Sequence, residues 1–315
     1  MSKFIAFRLS AGKRFGLGHL IRLKNISRSL KSKPFWIIES DYRKISNFFH
    51  NKKSKLYVKK KISENIVVKK IKKLGIKKIV FDLPDNNNKN KKKIISRYSS
   101  LNLKTISYDL PRKYSDADIK IIPYITNKKI NQKNTFVGSQ YLGIKFKKNR
   151  LNKIKNILIS ISGSDKLNIG NTIYNILRKY NFNITFIHGL NKKPSSITKK
   201  CRIKKFAYNL KELISYNDLI ITGEGMTKYD VIYENKPLII IQQFNDSQLM
   251  QDFKSKRLCL IIKKNLKKDI VEKKIISFVN NNKLLKKFHK NQINLLKKNS
   301  NLYEYKKMLN TINCL

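Results

Sequence analysis

Four histidines occur in 315 residues, and one of them, His19, stands where acid–base chemistry could be done. The apolar run 4–7 leads into Ser10-Ala11-Gly12 and then Gly16-Leu17-Gly18-His19-Leu20-Ile21-Arg22. Glycines let a backbone approach a ligand closely. A helix beginning at His19 would offer unpaired amides to an anion. A helix start also favours the neutral form of a histidine, the form that accepts a proton. Arg22 lies one turn on, on the same face. His19 is therefore the candidate base, with Gly16, Gly18 and Arg22 as candidate substrate contacts. An ordinary strand-to-helix turn carrying an incidental histidine fits the same residues. His50 and His289 lie in Lys-rich segments and read as solvated. His188 ends an apolar run beside Gly189 and could face a ligand.

Two further loops have the composition of a nucleotide seat. Ser160-Ile161-Ser162-Gly163-Ser164-Asp165 follows an apolar run and precedes a helical pattern. Gly163 and Ser164 could receive phosphate oxygens there, or Asp165 could simply cap the helix. Thr222-Gly223-Glu224-Gly225-Met226-Thr227-Lys228-Tyr229-Asp230 also follows a strand pattern. Asp230 on the first helical turn could accept both ribose hydroxyls, with Gly223, Glu224, Gly225, Met226 and Thr227 lining the diphosphate. After the next strand come Gln243-Phe244-Asn245-Asp246-Ser247-Gln248, polar groups at another strand end.

Positioning these loops requires parallel strands. Short continuous apolar runs separated by helical patterns mark buried strands of an α/β fold. They fall at 4–7, 35–39, 79–81, 105–108 and 119–122, then at 157–161, 184–188, 219–222, 238–242 and 258–262. Helices are expected at 19–30, 42–49, 63–74 and 91–98, then at 168–180, 210–215, 227–234, 248–256 and 267–280. Asp41 and Ser63 read as N-caps and Gly75 as a helix end. The expected architecture is two Rossmann-like domains facing a cleft, 1–148 and 152–282, joined by the basic run 146–153. An amphipathic helical tail, 283–315, follows. Ligands of such folds bind at the carboxyl ends of the strands. Asp82 and Asp109, at strand ends of the first domain, are secondary candidates for sugar contacts.

Composition restricts the partners. Lys+Arg number 71 against 19 Asp+Glu, a net charge of +52. Lys, Asn and Ile are abundant together, the signature of compositional bias, and the charge is spread along the whole chain. No zinc-finger spacing, RNP signature or KH loop appears, so nucleic acid is not the expected partner. Nucleotides and an acidic membrane face stay open as attractions for a basic surface. Cys201, Cys259 and Cys314 show neither pairing nor metal spacing, which suits a reducing compartment. No apolar run approaches the ~20 residues of a membrane helix, and a cytoplasmic location is expected. Oligomeric state is not legible.

Taken together and in order, the three loops resemble the glycosyltransferase-B superfamily that includes the murein-pathway N-acetylglucosaminyltransferase. Within it they look most like the UDP-sugar hydrolases of pseudaminic-acid biosynthesis and the related spore-coat polysaccharide proteins. Gly16-Leu17-Gly18-His19-Leu20-Ile21-Arg22 is similar to the hydrolase's Gly-x-Gly-His-x-x-Arg. The resemblance implies an inverting, metal-independent enzyme without cofactor, acting on a UDP- or CMP-type sugar, with His19 activating water. An acceptor hydroxyl in place of water would make the same chemistry a transferase. The resemblance makes Gly163 part of a second-domain turn and Asp230 the ribose-binding acid, where the family has Glu. It sets Gln248 at a donor-site glutamine and Tyr141 in a Gly-x-x-Tyr-x-x-x-Arg stretch. Two positions depart from the pattern. Asp82-Leu83-Pro84 stands for Asp-His-Tyr, and Lys145 stands for the arginine, which is no equivalent for a bidentate contact.

Overall fold

Strands form where the apolar runs are continuous, and the central ones are buried on both faces. The computed structural model describes all residues except 1–2, 50–54, 84–87, 109–115, 127–132, 164, 166, 190–193, 195–198, 208, 244–247, 264, 300–301 and 315. The chain divides into two compact units, Met1–Gly143 with Asn301–Leu315, and Ile144–Ser300.

Unit one contains β1 (Phe4–Ser10), α1 (Gly18–Ser29), β2 (Lys33–Glu39), β3 (Lys55–Lys59), α2 (Glu64–Lys73) and β4 (Lys78–Asp82). It continues with α3 (Asn88–Ser99), β5 (Lys104–Tyr108), β6 (Ile119–Ile122) and β7 (Thr135–Val137). The strand order is β3-β2-β1-β4-β5-β6-β7, with every pair parallel. The order reverses between β1 and β4, which are neighbours in the sheet, with Leu9 beside Asp82. That is the topological switch point, where adjacent crossovers leave in opposite directions and open a crevice above the strand ends. Phe7, Leu9, Trp36, Ile38 and Val80 pack one face of the sheet against α1. Phe7 and Trp36 stack at 4.7 Å.

Unit two contains β8 (Asn156–Ser160), α4 (Ile169–Leu177), β9 (Asn183–Ile187), β10 (Cys201–Lys204), α5 (Leu210–Tyr216) and β11 (Leu219–Thr222). It continues with α6 (Thr227–Tyr233), β12 (Leu238–Gln242), α7 (Gln248–Ser255), β13 (Leu260–Lys263), α8 (Lys268–Asn280) and α9 (Asn282–Asn299). Its parallel sheet runs β10-β9-β8-β11-β12-β13, with the switch point between β8 and β11. Among the described residues, no helix is long and apolar enough to cross a membrane.

Several expectations are corrected. The segment read as a helix over 42–49 is a 3₁₀ turn, Arg43–Phe48, and Asp41 does not cap it. Ser63 precedes α2 but its side chain makes no cap bond. The edge strands β3, β7 and β10 are additions to the expected set. The expected helical tail is present as two helices, which divide between the units. Its first helix, α9, stays with unit two, whereas α10 (Leu302–Cys314) belongs to unit one. Tyr305, Met308, Leu309 and Ile312 of α10 enter unit one's core. Gly143 has φ +65°, and a Cβ there would stand 2.5 Å from the Tyr305 ring, so only glycine lets α10 seat this closely. The division at 143/144 also precedes the basic run expected to be the joint. Residues of that run are instead stitched to unit two. Lys147 N donates to Tyr233 O at 2.8 Å, Asn149 Nδ2 to Glu234 O at 2.6 Å, and His289 Nε2 contacts Asn149 O at 2.9 Å. His289 is thus a structural group rather than a solvated one, and His50 lies outside the described residues.

Candidate functional site

The switch point of unit one gathers His19, Arg22 and Asp82. Asp82 ends β4 and is fully buried. Its Oδ2 accepts from Arg22 Nε at 2.5 Å, and its Oδ1 accepts from Arg22 Nη2 at 2.5 Å. His19 Nδ1 lies 2.6 Å from the same Oδ1. Arg22 Nη2 also lies 2.9 Å from Nδ1, but the carboxylate is nearer, and two acceptors cannot face each other at 2.6 Å, so the shorter contact requires a hydrogen on Nδ1. In the neutral ring Nε2 is then the unprotonated nitrogen. It has no partner among the described residues, and the His19 side chain is 18% exposed. Arg22 Nη1 reaches the Tyr124 hydroxyl at 3.3 Å, and the guanidinium sits 5.5 Å from the Tyr108 ring centre. Burial alone would raise the Asp82 carboxyl. Arg22 and His19 outweigh it and hold the carboxyl below its ordinary range.

This geometry revises two expected contacts. Asp82 and Arg22 are buried and bonded to each other, so neither presents a free polar edge to a sugar. They hold the imidazole instead. Tyr141 is revised as well: it is 6% exposed and donates to Glu304 of α10 at 3.3 Å. Asp109 lies outside the described residues.

The loop before His19 is braced. Gly12 and Gly16 exchange backbone hydrogen bonds at 2.8 and 2.7 Å. The Asp41 carboxylate accepts from the amides of Lys13 and Arg14 at 2.7 and 3.0 Å. This is what Asp41 does in place of the helix cap expected of it. At Gly16 and Gly18 nothing among the described residues stands within 4 Å of a Cβ position, so the backbone there is open to approach.

In unit two the two glycine loops meet at the β8/β11 switch point. A Cβ on Gly223 would stand 2.6 Å from Ile161 O, so this glycine serves strand packing first. Gly225 is exposed with open space around it, and Gly163, Met226 and Thr227 are half-exposed. The Glu224 side chain is engaged, its Oε2 accepting from Gln243 N at 2.8 Å, and it ties two loops together rather than lining a diphosphate. Lys228, buried, donates to the Glu224 carbonyl from one turn on. Asp165 caps α4, accepting from Ile169 N at 3.0 Å and Gly170 N at 2.7 Å. Asp230 is partly exposed as a residue while its carboxyl is enclosed; its carbonyl accepts from Glu234 N at 3.0 Å, and the carboxyl has no hydrogen bond among the described residues. Burial pushes its carboxyl up to about 7; Lys211 pulls it back, and Glu234 one turn on raises it. His188 lies half-buried at the end of β9, its ring edge-on to Phe186. A Cβ on Gly189 would strike Gly163 O at 2.7 Å, so these two loops lie side by side. Ser164 and the Gln248 side chain lie outside the described residues.

Sequence reasoning missed Tyr124 and the bracing role of Asp41. No local signal marks either, since their partners are 102 and about 28 positions away.

Two parallel Rossmann-like sheets with closing C-terminal helices define the glycosyltransferase-B fold. Solved structures of that fold match the chain nearly end to end. MurG of Acinetobacter baumannii aligns with a TM-score of 0.66 at 11% identity, covering 99% of this chain and 100% of that one. The glycotransferase of kitacinnamycin gives 0.65 at 10% identity, with 97% of each chain covered. A UDP-N-acetylglucosamine 2-epimerase gives 0.58 at 12%, again with 97% of each covered. Identities this low speak to fold. By sequence, the chain is 30% identical over 193 residues to an uncharacterized protein, MJ1062, of Methanocaldococcus jannaschii. That alignment takes in 57% of this chain and 38% of the relative's length. No family model matches.

Proposed function

We propose that the chain is an enzyme acting on a nucleotide sugar, with His19 as general base. The observation that carries the reading is the His19–Asp82 pair at the switch point. A buried carboxylate fixes Nδ1, and the basic Nε2 is left without a partner among the described residues. Unit two supplies the nucleotide seat through Gly163, Gly225, Thr227 and Asp230. The proton passes from the nucleophile's hydroxyl to Nε2, its oxygen bonds to the anomeric carbon, and the anomeric C–O bond to phosphate breaks. The nucleotide departs with the electron pair. With water as nucleophile the activity is nucleotide-sugar hydrolysis, of the kind that acts on UDP-2,4-diacetamido-2,4,6-trideoxy-hexoses in surface-polysaccharide or nonulosonic-acid synthesis.

The test is a panel of nucleotide sugars without acceptor, followed by product analysis. Free sugar and nucleotide in equal amounts are expected. A second reading, an inverting glycosyltransferase, is favoured by Leu83, which stands where the hydrolases carry histidine. Turnover that appears only with an added acceptor would select it. Failure to bind any nucleotide, with salt-sensitive binding of nucleic acid instead, would overturn both.

Asp230 gives the reading a pH signature. If its ionised form accepts the ribose hydroxyls, affinity for UDP rises as pH climbs through about 7. Between pH 6 and 8 the gain should be roughly 10-fold, one pKa-controlled decade, by calorimetric titration. Asp230→Asn should bind weakly and without that slope. A wild-type affinity flat across the range removes Asp230 from the ribose site. The same raised pKa costs stability as pH rises from the ordinary carboxylate range through about 7, because the folded state holds the proton more tightly.

A further inference from the structure

The longest helix, α9, is anchored at one rotation by polar clamps on its inner face. Gln292, 1% exposed, donates to Lys236 O at 3.2 Å and to Leu258 O at 2.8 Å, and accepts from Asn235 Nδ2 at 3.1 Å. Asn291 Nδ2 donates to Arg257 O at 3.0 Å. Leu285 and Leu296 are buried beside them. With that face fixed, the opposite one is presented at a fixed angle. It carries Lys283, Lys286, Lys287, Lys290, Asn294 and Lys297, all exposed. These recur at i, i+3 or i+4, and so on, which makes a single straight row about 21 Å long at 1.5 Å per residue. No acidic residue occurs anywhere between Glu272 and Glu304, so the row has no neutralising neighbour on its own helix.

We infer that this lysine row is a docking surface for an anionic lipid headgroup layer. Five ammonium groups along a convex helix make a line of point charges. Fluid acidic headgroups can rearrange under such a line, each lysine adding about 5-fold to partitioning near the surface. The row lacks what nucleic acid recognition uses. Among its described residues there is no exposed aromatic for stacking and no arginine for bidentate contacts. It also lacks exposed apolar side chains, so the contact is adsorption at headgroup level without insertion. The inference does not depend on the chemistry proposed for His19.

The experiment is vesicle flotation of the full chain at roughly physiological ionic strength. Vesicles of phosphatidylglycerol and phosphatidylcholine, one to two, are compared with phosphatidylcholine alone. A row variant carries Lys→Gln at 283, 286, 287, 290 and 297. A control of equal net charge carries Lys→Gln at the exposed positions 31, 69, 153, 199 and 205. Wild type should float with the anionic vesicles only. The row variant should lose on the order of 10³-fold in partitioning and the control less than about 3-fold. Thermal unfolding of both variants checks that the fold is kept; should the row variant unfold, a charge-reducing pair, Lys286→Gln with Lys290→Gln, replaces it, with an expected loss of about 30-fold. Equal losses in row and control would assign the binding to overall charge and overturn the inference. So would absence of wild-type binding, or tighter, row-dependent binding of a duplex DNA fragment.

Discussion

His19→Asn is expected to lower turnover about 10²–10⁴-fold, the usual contribution of a general base, with UDP affinity nearly intact. Asparagine keeps a donor for Asp82 Oδ1, so the buried pair of Asp82 and Arg22 stays satisfied and the fold is undisturbed. What is lost is the unprotonated Nε2. Steady-state release of nucleotide measures the effect, and calorimetry with UDP measures the affinity. Unchanged turnover would remove His19 from the reaction. Turnover and affinity falling together would indicate a binding role. The split between the two readouts is informative because the proposed base and the proposed nucleotide loops are carried by different sheets.

Arg22→Met is expected to cost about 3–5 kcal/mol of stability at neutral pH, the penalty for leaving a buried charge without its partner. Asp82 is fully buried, and Arg22 supplies two of its three recorded hydrogen bonds. The loss should depend on pH with a definite sign. Burial raises the Asp82 carboxyl, but Arg22 and His19 hold it below the ordinary carboxylate range. A depressed pKa stabilises the folded state above the unfolded value, near 4, and that stabilisation fades as pH falls below it. In the variant Asp82 can escape its burial by taking up a proton. The gap between wild type and variant should therefore narrow from pH 7 toward pH 4 in urea unfolding. An equal gap at both values would mean that Arg22 acts through packing, on Tyr108 and its neighbours, rather than through charge.

Much of this fold is written locally. Runs such as Ile157-Leu158-Ile159 or Leu238-Ile239-Ile240-Ile241 are continuous because their strands are covered on both faces, and the sequence pattern reports that directly. Lys55-Leu56-Tyr57-Val58-Lys59 escapes the pattern because β3 is an edge strand, half-solvated and flanked by lysine. The candidate base was visible as Gly16-Leu17-Gly18-His19, since glycine spacing and the strand-to-helix switch are local. Its orienting group was not. Asp82 is 63 positions from His19, and only the pairing of β1 with β4 brings them together. From sequence, a carboxylate at a strand end looks the same whether it meets a sugar or a buried guanidinium. Asp230, by contrast, was placed on the first turn of its helix by sequence, and burial there sets its unusual proton affinity. The tail defeated the pattern differently. Both α9 and α10 carry apolar residues at helical spacing, yet they serve two separate cores.

That return of α10 sets the order in which the molecule can be made. Residues 144–300 are, in covalent terms, a domain inserted into another. Unit two is complete in sequence at residue 300, whereas unit one's core still lacks Tyr305, Met308, Leu309 and Ile312 at that point of the chain. A released chain ending at residue 300 would thus keep every residue of unit two and leave unit one's core short of four side chains.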